Sequence, residues 1–329
     1  MKDTFSKNDK IFLAGGKGMV GSSIKRALKR QGYKYIISPD RVELNLFDVE
    51  LVKSCFLKNK PDIVIVAAAK VGGIFANSNY PADFLIENLK IQTNIIESAW
   101  KTGVKRLLFL GSSCIYPKFA KQPIKEEFLL EGCLERSNEW YSIAKISGLK
   151  LCESLRIQYG FDAISLMPTN LYGPNDNYHS ENSHVVASLI RKFIIAKHIN
   201  SPEVICWGTG TVLREFLHVD DLAEAVIFCL KEWHPSNLNS PKDYKGNALN
   251  HLNVGTGKEI SIIELATMIS KIVDYEGKII WDKTKPDGTP RKLLDVSKIN
   301  KLGWKASIDL ETGLKKTIKD LHLEDLNSF

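Results

Sequence analysis

The sequence has little of what marks a membrane, secreted or metal-binding protein. Among its 329 residues, no apolar run approaches the ~20 residues needed to span a bilayer. No charged segment followed by an apolar one stands at the start, as a signal peptide would. The six cysteines are scattered and never spaced as Cys-x-x-Cys, so neither a zinc site nor a disulfide framework is expected. These features predict a protein of the reducing cytoplasm, with no membrane segment and no metal.

Charge and composition also argue against a nucleic-acid-binding module. Lysine and arginine outnumber the acids by 45 to 38, which gives a net charge of +7, but the basic residues are spread out and form no nucleic-acid motif. The positive excess suits polyanionic small molecules, although it equally fits simple solubility. Hydrophobic residues make up 44% of the chain, as in an ordinary globular protein, and we find no internal repeat.

Strand and helix signals alternate through the first half of the chain. Short apolar runs are typical of buried parallel strands, and they are separated by segments of helical periodicity. The predicted strands are 10–14, 35–38, 63–68, 107–110 and 163–167, and the predicted helices between them are 22–30, 49–57, 81–102 and 141–159. This alternation predicts an α/β fold with a doubly wound parallel sheet of the Rossmann type.

The second half is less regular. We predict helices at 184–197 and 261–273, a strand at 251–254 and a surface loop at 233–250. We assign residues 1–173 to a dinucleotide-binding domain and residues 174–329 mainly to a smaller substrate-binding domain, with some segments returning to the sheet.

A glycine-rich turn, Gly15-Gly16-Lys17-Gly18-Met19-Val20-Gly21, follows the first predicted strand and precedes a helix. In this context the glycines permit a tight turn and a close approach of backbone to pyrophosphate, while the helix N-terminus offers N–H groups. The turn therefore indicates dinucleotide binding. After the second strand, Asp40 would suit ribose hydroxyls and Arg41 a 2′-phosphate. Lys17 and Arg41 together favour NADP over NAD.

Tyr141 and Lys145 are one helical turn apart and share a helix face. Ser112 follows the strand at 107–110, at the end where open α/β sheets bind ligands. A free tyrosine has a pKa of about 10, and a nearby ammonium lowers that pKa. We predict that Ser112 holds a carbonyl, that Tyr141 moves a proton, and that Lys145 keeps the phenol acidic and contacts the nicotinamide ribose. With the glycine turn, these residues indicate a nicotinamide-dependent reductase.

These motifs, with Pro168-Thr169-Asn170-Leu171-Tyr172-Gly173, resemble the extended short-chain dehydrogenase/reductase superfamily. Longer strings resemble the GDP-L-fucose synthase family within it, whose members are GDP-4-keto-6-deoxymannose 3,5-epimerase–4-reductases. The strings cover nearly the whole chain and are Ala67–Ile74, Tyr80–Phe84, Gly111–Lys118, Asn182–Val185, Arg214–Asp221 and Lys285–Lys292.

The resemblance implies a chemistry for two further residues. The C4 ketone of the family substrate acidifies C3–H and C5–H, so one group removes each proton and another returns it on the opposite face. By resemblance Cys114 is the base and His184 the acid; a thiolate of lowered pKa and a histidine both act near neutral pH. NADPH then delivers hydride to C4. The resemblance also implies a homodimer formed through the helices near 81–102 and 141–159.

By the same resemblance we assign the binding residues. The NADP site comprises the glycine turn with Arg41, Leu44, Asn45, Leu46, Leu110, Gly111, Ser112, Ser113, Lys145, Pro168, Thr169, Asn170, Leu171 and His184. The GDP-sugar site comprises Lys192, Trp207, Arg214 and Asp287. Basic side chains pair a diphosphate and an indole offers a flat packing face. Lys192 stands where the family has arginine, so it lacks the bidentate fork.

Three alternatives differ in substrate or in class. Colitose-type and keto-heptose enzymes share this scaffold, and Cys114 and His184 do not identify the C3 or C6 substituent of the sugar. A catalytically silent NADP-binding sensor would need none of the five reacting residues. A 4,6-dehydratase has Ser-Thr and then acidic residues before its Tyr-x-x-x-Lys, whereas this chain has Ser112-Ser113 followed by Cys114.

Overall fold

The structure, a computed structural model, describes residues 5–180, 182–285, 287–319 and 321. The strands are β1 (Ile11–Ala14), β2 (Ile36–Ile37), β3 (Ile63–Val66), β4 (Arg106–Leu110), β5 (Ala163–Pro168), β6 (Asn170–Tyr172), β7 (Glu203–Trp207), β8 (Leu213–His218), β9 (His251–Val254), β10 (Glu259–Ser261), β11 (Lys278–Asp282) and β12 (Arg291–Lys292). The helices are α1 (Met19–Arg30), α2 (Val49–Asn59), α3 (Ile74–Asn79), α4 (Pro81–Lys101), α5 (Glu139–Tyr159), α6 (Val185–His198), α7 (Val219–Glu232), α8 (Ile262–Val273), α9 (Ser297–Leu302) and α10 (Leu310–Lys319).

The large sheet has six parallel strands in the order β2-β1-β3-β4-β5-β9. All four residues of β1 and of β3 are buried, as continuous apolar runs in a two-sided sheet require. Helix α1 packs against α7, whereas α2 and α5 pack against α4. Right-handed crossovers place these two groups on opposite faces. The predicted doubly wound parallel sheet is confirmed.

The chain reverses its direction across the sheet between β1 and β3, which are neighbours although β2 lies between them in sequence. Open α/β sheets bind ligands at such a point, outside the carboxyl ends of the strands. The glycine turn follows β1 and therefore lies at this edge. The segments after β4 and β5 end at the same edge because all six strands are parallel.

A second layer of structure lies beyond β5. Strand β8 pairs with β6, β10 and β12, and β7 pairs with β11. A separate apolar cluster fills the space among α6, α8 and these strands, with Phe193 and Leu265 fully buried. Helix α7 and strand β9 come late in the chain but pack into the core of the large sheet. The division at residues 173 and 174 stays a prediction.

Local chemistry explains where several helices begin. Helix α7 begins at Val219 because the His218 side chain accepts a hydrogen bond from the Asp220 N–H. Helix α8 begins after a capping box formed by Ser261 and Glu264. Helix α1 begins at Met19, three residues earlier than predicted, because the glycine turn itself forms its first turn. Within 233–250, the predicted loop, the structure has an isolated bridge between Lys242 and Ala248.

Candidate active site

The glycine turn is shaped for a close approach of backbone to a ligand. Gly15 has φ of +85°, and a Cβ there would lie 2.7 Å from the Ala68 nitrogen. A Cβ on Gly21 would lie 2.1 Å from the Gly15 carbonyl oxygen. Helix α1 begins directly after Gly18, and no side chain caps its first turn. The free N–H groups of that turn lie at the carboxyl edge of the sheet. This cradle fits the pyrophosphate of a dinucleotide.

Lys17 in the glycine turn and Asp40, which follows β2, form an ion pair that the sequence did not suggest. Lys17 Nζ lies 2.6 Å from the Asp40 carboxylate, which also accepts hydrogen bonds from the Val42 and Glu43 N–H groups. The Lys17 hydrogen bond and these backbone N–H groups lower the pKa of Asp40 to about 2. The Arg41 guanidinium lies over the Phe47 ring at 5.3 Å. Lys17 and Arg41 therefore both stand at the end of β2, where Lys17 neutralises Asp40.

The other residues assigned to the NADP site end neighbouring strands. Leu110, Gly111, Ser112 and Ser113 end β4, and Pro168–Leu171 join β5 to β6. The Thr169 hydroxyl and the Asn170 amide both donate to the Glu215 carbonyl oxygen, at 3.2 and 2.8 Å. Leu44 is buried, and Asn94 donates to the Leu46 carbonyl at 2.9 Å. Asn45 accepts from the Phe47 N–H.

Ser112, Tyr141 and Lys145 meet at the carboxyl end of β4. The Ser112 hydroxyl accepts a hydrogen bond from the Cys114 N–H at 3.2 Å, and it lies close enough to Tyr141 to lower the pKa of the phenol. Lys145 is buried, and its ammonium donates to the Leu110 carbonyl at 2.9 Å. The same ammonium lies 5.9 Å from the Tyr141 ring centroid. The structure thus brings together the three groups that the sequence predicted for carbonyl reduction.

The expected effect of Lys145 on Tyr141 is wrong for this structure. Burial, followed by the charge of Cys114, raises the pKa of Tyr141 above its ordinary value, and the Ser112 hydrogen bond only partly offsets this. Burial also lowers the pKa of Lys145 to about 8. Desolvation is the largest cause of both pKa shifts, and Lys145 is not among the causes of the Tyr141 shift. Tyr141 is therefore held as a neutral phenol, the form that donates a proton.

Cys114 lies in a positively charged environment. Lys292 Nζ lies 3.3 Å from the Cys114 sulfur. Burial by itself raises the pKa of Cys114, but Lys292, Ser112 and Arg214 together outweigh it, and the pKa lies below its ordinary value. Lys292 is absent from the sequence-based assignment although it belongs to the string 285–292. No periodicity could reveal it, because β12 has only two residues.

His184 occupies the N-cap position of α6, and its side chain makes no capping hydrogen bond. Its side chain has an exposed surface, yet protein atoms surround it closely, as happens in a concave cleft. The resulting desolvation, followed by the charge of Lys292, lowers the pKa of His184 below its ordinary value. The charge of Lys292 thus lowers the pKa of both Cys114 and His184.

Of the residues assigned to the GDP-sugar, Lys192 lies against the exposed indole of Trp207. Trp207 is 53% exposed, and the ammonium groups of Lys192 and Lys285 lie 5.6 and 5.4 Å from its ring centroid. Lys285 was not expected here. Arg214 is directly opposite Lys292 in the pairing of β8 with β12.

Asp287 has a local role in the structure. Its carboxylate accepts hydrogen bonds from the Thr209 N–H and hydroxyl, at 2.8 and 2.7 Å. Gly208 in the same turn has φ of +79°, and a Cβ there would lie 2.3 Å from the Asp287 carboxylate. Asp287 therefore holds the turn after Trp207.

Other sites are less suited to catalysis. A cleft of about 480 Å³ between the 239–244 loop and α9 is lined by surface lysines and acids and lies away from the strand ends. Across residues 5–180, 182–285, 287–319 and 321, no group of His, Cys, Asp and Glu is arranged to hold a metal ion. In the same part of the chain, no helix is long and apolar enough to cross a membrane.

Comparisons with known proteins agree with this geometry. The sequence pattern of the NAD dependent epimerase/dehydratase family matches residues 11–245. The chain is 55% identical to GDP-L-fucose synthase 1 of Arabidopsis thaliana over 311 residues. The aligned region covers 94% of this chain and 92% of the relative. It is 52% identical over 308 residues to GDP-L-fucose synthase of Escherichia coli K12. That alignment covers 94% of this chain and 95% of the relative.

A solved structure shares the fold over its full length. It is a GDP-mannoheptose C4 reductase from Campylobacter jejuni with NADP bound, with a TM-score of 0.84, 36% identity, and 96% of this chain and 98% of that chain covered. The sheet topology, the glycine turn and these relatives agree: the chain belongs to the NAD dependent epimerase/dehydratase family and, within it, to the GDP-L-fucose synthases.

Proposed function

We propose that this protein converts GDP-4-keto-6-deoxy-D-mannose to GDP-L-fucose by 3,5-epimerisation and NADPH-dependent reduction of the C4 ketone. One observation carries the proposal: the Cys114 thiol, 3.3 Å from a lysine ammonium, lies beside the Ser112–Tyr141–Lys145 group. A simple ketone reductase has no use for a base at this place. Relatives named for this activity share 52–55% of their residues with the chain.

The epimerase half uses Cys114 and His184. The Cys114 thiolate removes the proton from C3, and later from C5, and each time the C4 ketone becomes an enolate whose negative charge lies on the C4 oxygen. His184 returns a proton to the opposite face of the carbon. A lowered histidine pKa makes the imidazolium a stronger acid, and a lowered thiol pKa raises the fraction of thiolate near neutral pH.

The reductase half uses Ser112, Tyr141 and Lys145. NADPH supplies the hydride that C4 receives. Ser112 holds the C4 oxygen, and Tyr141 donates its proton to that oxygen as negative charge develops there. The raised pKa of Tyr141 keeps the proton on the phenol until then. Lys145 is placed to bind the nicotinamide ribose.

The remaining assigned residues bind the two nucleotides. The turn Gly15–Gly21 would hold the pyrophosphate of NADPH. Arg41 would hold its 2′-phosphate, together with Lys17 once Lys17 exchanges Asp40 for the phosphate. Arg214 and Lys192 pair with the diphosphate of the GDP-sugar, and Trp207 packs against its flat base. Asp287 acts by fixing the turn at Thr209 beside that base.

A heptose- or colitose-type substrate is the second candidate. It rests on the Campylobacter jejuni heptose reductase, whose identity to the chain is 36% against 55% for the Arabidopsis synthase. Both candidates use the same reacting groups and differ in the substituents at C3 and C6.

We also propose a homodimer in a reducing compartment such as the cytoplasm. The helices α4 and α5 pack on each other and expose Ile86, Trp140 and Ile157. A self-complementary contact of such a helix pair would bury these side chains. All six cysteines are free thiols in the structure, which suits reducing conditions. Light scattering of the purified protein measures the assembly.

The decisive experiment separates the two half-reactions. The protein is incubated with GDP-4-keto-6-deoxymannose in D₂O without NADPH, and NMR follows deuterium at C3 and C5. We expect deuterium at both positions, and GDP-L-fucose once NADPH is added. Reduction without any deuterium at C3 or C5 would exclude the epimerase half. Turnover of a GDP-keto-heptose in preference to this substrate would favour the second candidate.

Cys114→Ser is the key variant, and Cys133→Ser, at an exposed thiol, is its matched control. Cys114→Ser should lose deuterium exchange because a serine hydroxyl is a far weaker base than a thiolate. It should still reduce the ketone slowly, with unchanged configuration at C3 and C5. Cys133→Ser should behave as the native protein does. Native exchange rates in Cys114→Ser would place the base elsewhere.

A further inference from the structure

We propose that Lys292 is a positioning residue that holds Cys114 as a thiolate, so that the working base is a lysine–cysteine pair. The proposal rests on the proposed function for the role of Cys114, and on geometry for the pair itself. Lys292 Nζ donates a hydrogen bond to the Cys114 sulfur at 3.3 Å. Hydrogen bonds in which donor and acceptor are ionised are about twice as strong as neutral ones.

Backbone contacts around β12 fix the place of Lys292. Strand β12 pairs with β8, and the two N–H groups that follow Lys292 are both engaged. The Leu293 N–H donates to the Gln122 side chain at 2.8 Å, and the Leu294 N–H donates to the Glu215 carboxylate at 3.0 Å. Glu215 is fully buried and also accepts from the Gly257 N–H at 2.7 Å. Lys292 is therefore held by rigid elements, as a precise pair requires.

The neighbouring residue shows that this arrangement is specific. The Arg291 guanidinium pairs with the Glu259 carboxylate at 2.7 Å. Lys292 has no such acidic partner among the described residues, and its recorded hydrogen bond goes to sulfur. Successive side chains of a strand lie on opposite faces, which explains the difference. The positive charge of Lys292 is thus available to the thiol.

The other groups that face Cys114 support the thiolate or are neutral. They are Arg214 on β8, the Ser112 hydroxyl at the end of β4 and the Tyr141 phenol on α5. The carboxylate that lines the same small cavity, Glu135, is paired with the Lys118 ammonium at 3.0 Å. The charge of Lys292 also favours loss of a proton from His184. The Lys292 ammonium thus favours the thiolate form of Cys114 and makes the His184 imidazolium a stronger acid.

The proton balance is complete with these groups. In each epimerisation the C–H bond breaks, its electron pair enters the enolate, and the proton forms an S–H bond on Cys114. An N–H bond of the His184 imidazolium then breaks, and its proton forms the new C–H bond. Exchange with water removes the proton from the thiol and returns one to the imidazole. Lys292 keeps its proton throughout.

The first test measures the pair without substrate. The rate of Cys114 alkylation by iodoacetamide is followed against pH by peptide mass spectrometry in the native protein and in Lys292→Met. An opposite charge at this distance lowers an acid pKa by about 1–3 units. The alkylation midpoint of Lys292→Met should therefore rise by about 1–3 pH units. Lys292→Arg keeps the charge and should stay near the native midpoint, as should Arg291→Gln.

An unchanged midpoint in folded Lys292→Met, judged by circular dichroism, would overturn the proposal. If that variant does not fold, the native protein decides. The ultraviolet thiolate absorbance of native protein minus that of Cys114→Ser gives the midpoint directly. A midpoint at or above the ordinary cysteine value of about 8.5 would also overturn the proposal.

The second test uses deuterium exchange at C3 and C5. In Lys292→Met the acidic limb of the exchange-rate profile should move to higher pH, and the exchange rate should recover toward the native value in alkaline buffer. A lysine that only binds diphosphate would raise KM and leave the profile in place, and that result would contradict the proposal. If the native protein exchanges no deuterium, the proposed function fails, whereas the alkylation midpoints still judge the Lys292–Cys114 pair.

Discussion

Replacing Lys145 by methionine should abolish reduction without weakening the fold at neutral pH. Lys145 is almost fully buried. Its ammonium donates a hydrogen bond to the Leu110 carbonyl, and no carboxylate among the described residues pairs with it. Its ammonium also lies 4.9 Å from the Phe109 ring centroid. A buried charge without an acid opposite destabilises the folded state, and it persists at sites where function needs it.

The magnitude follows from the pKa. Burial lowers the pKa of Lys145 to about 8. Compared with an ordinary lysine pKa of about 10.4, this corresponds to about 3 kcal/mol against the charged form in the folded state. Methionine removes that penalty but leaves the Leu110 carbonyl without its donor, which costs about 1–3 kcal/mol. At pH 7 the variant should therefore be about 0–2 kcal/mol more stable than the native protein.

The difference in stability between the native protein and Lys145→Met changes sign at alkaline pH. Below pH 8 the folded native protein carries the ammonium at a cost, whereas above the unfolded pKa the amine is neutral in both states and the cost is gone. Between about pH 8 and 10.4 the native protein should therefore gain about 3 kcal/mol relative to the variant. Urea unfolding of both proteins at each pH measures the difference, and other titrating groups cancel in the comparison.

Two results would refute this reasoning. One is a Lys145→Met protein that is destabilised by well over 2 kcal/mol at pH 7. The other is a stability difference that does not change with pH. NADPH oxidation with substrate should fall by ~10² or more in the variant, because the ribose contact and the charge beside Tyr141 are lost together.

Three further predictions concern the same site. Tyr141→Phe should slow NADPH oxidation by ~10²–10⁴, the usual contribution of a positioned acid, while deuterium exchange at C3 and C5 continues; undiminished oxidation would remove Tyr141 from the reaction. Arg41→Ala should weaken NADPH binding and leave NADH binding nearly unchanged in fluorescence titrations, and equal losses for both cofactors would contradict a 2′-phosphate contact. Gly21→Ala should weaken the binding of both cofactors strongly, because its Cβ would lie 2.1 Å from the Gly15 carbonyl oxygen; native affinity in a folded variant would show that the turn can shift at little cost.

The sequence predicted the large sheet well because its signals are local. The runs predicted at 63–68 and 163–167 are almost entirely apolar, and they correspond to the buried strands β3 and β5. The predicted strand at 251–254 matches β9 to the residue. It could not be placed in the sheet beforehand, since its partner β5 lies some eighty positions earlier in the chain. The order of strands depends on such long-range pairing, which no local pattern encodes.

The sequence by itself determined the chemistry at the carboxyl end of β4. The spacing of Tyr141 and Lys145 on one helix, the glycine turn and the motif strings identified the reacting groups, because residue type and short spacing are properties of the chain. Only the tertiary structure decided the protonation of these groups. Enclosure raises the pKa of Tyr141 against the expected effect of Lys145, and Lys292, 178 positions from Cys114, brings its charge to the thiol. A pKa depends on solvent exclusion and on charges a few ångströms away, and these distances exist only after the chain has folded.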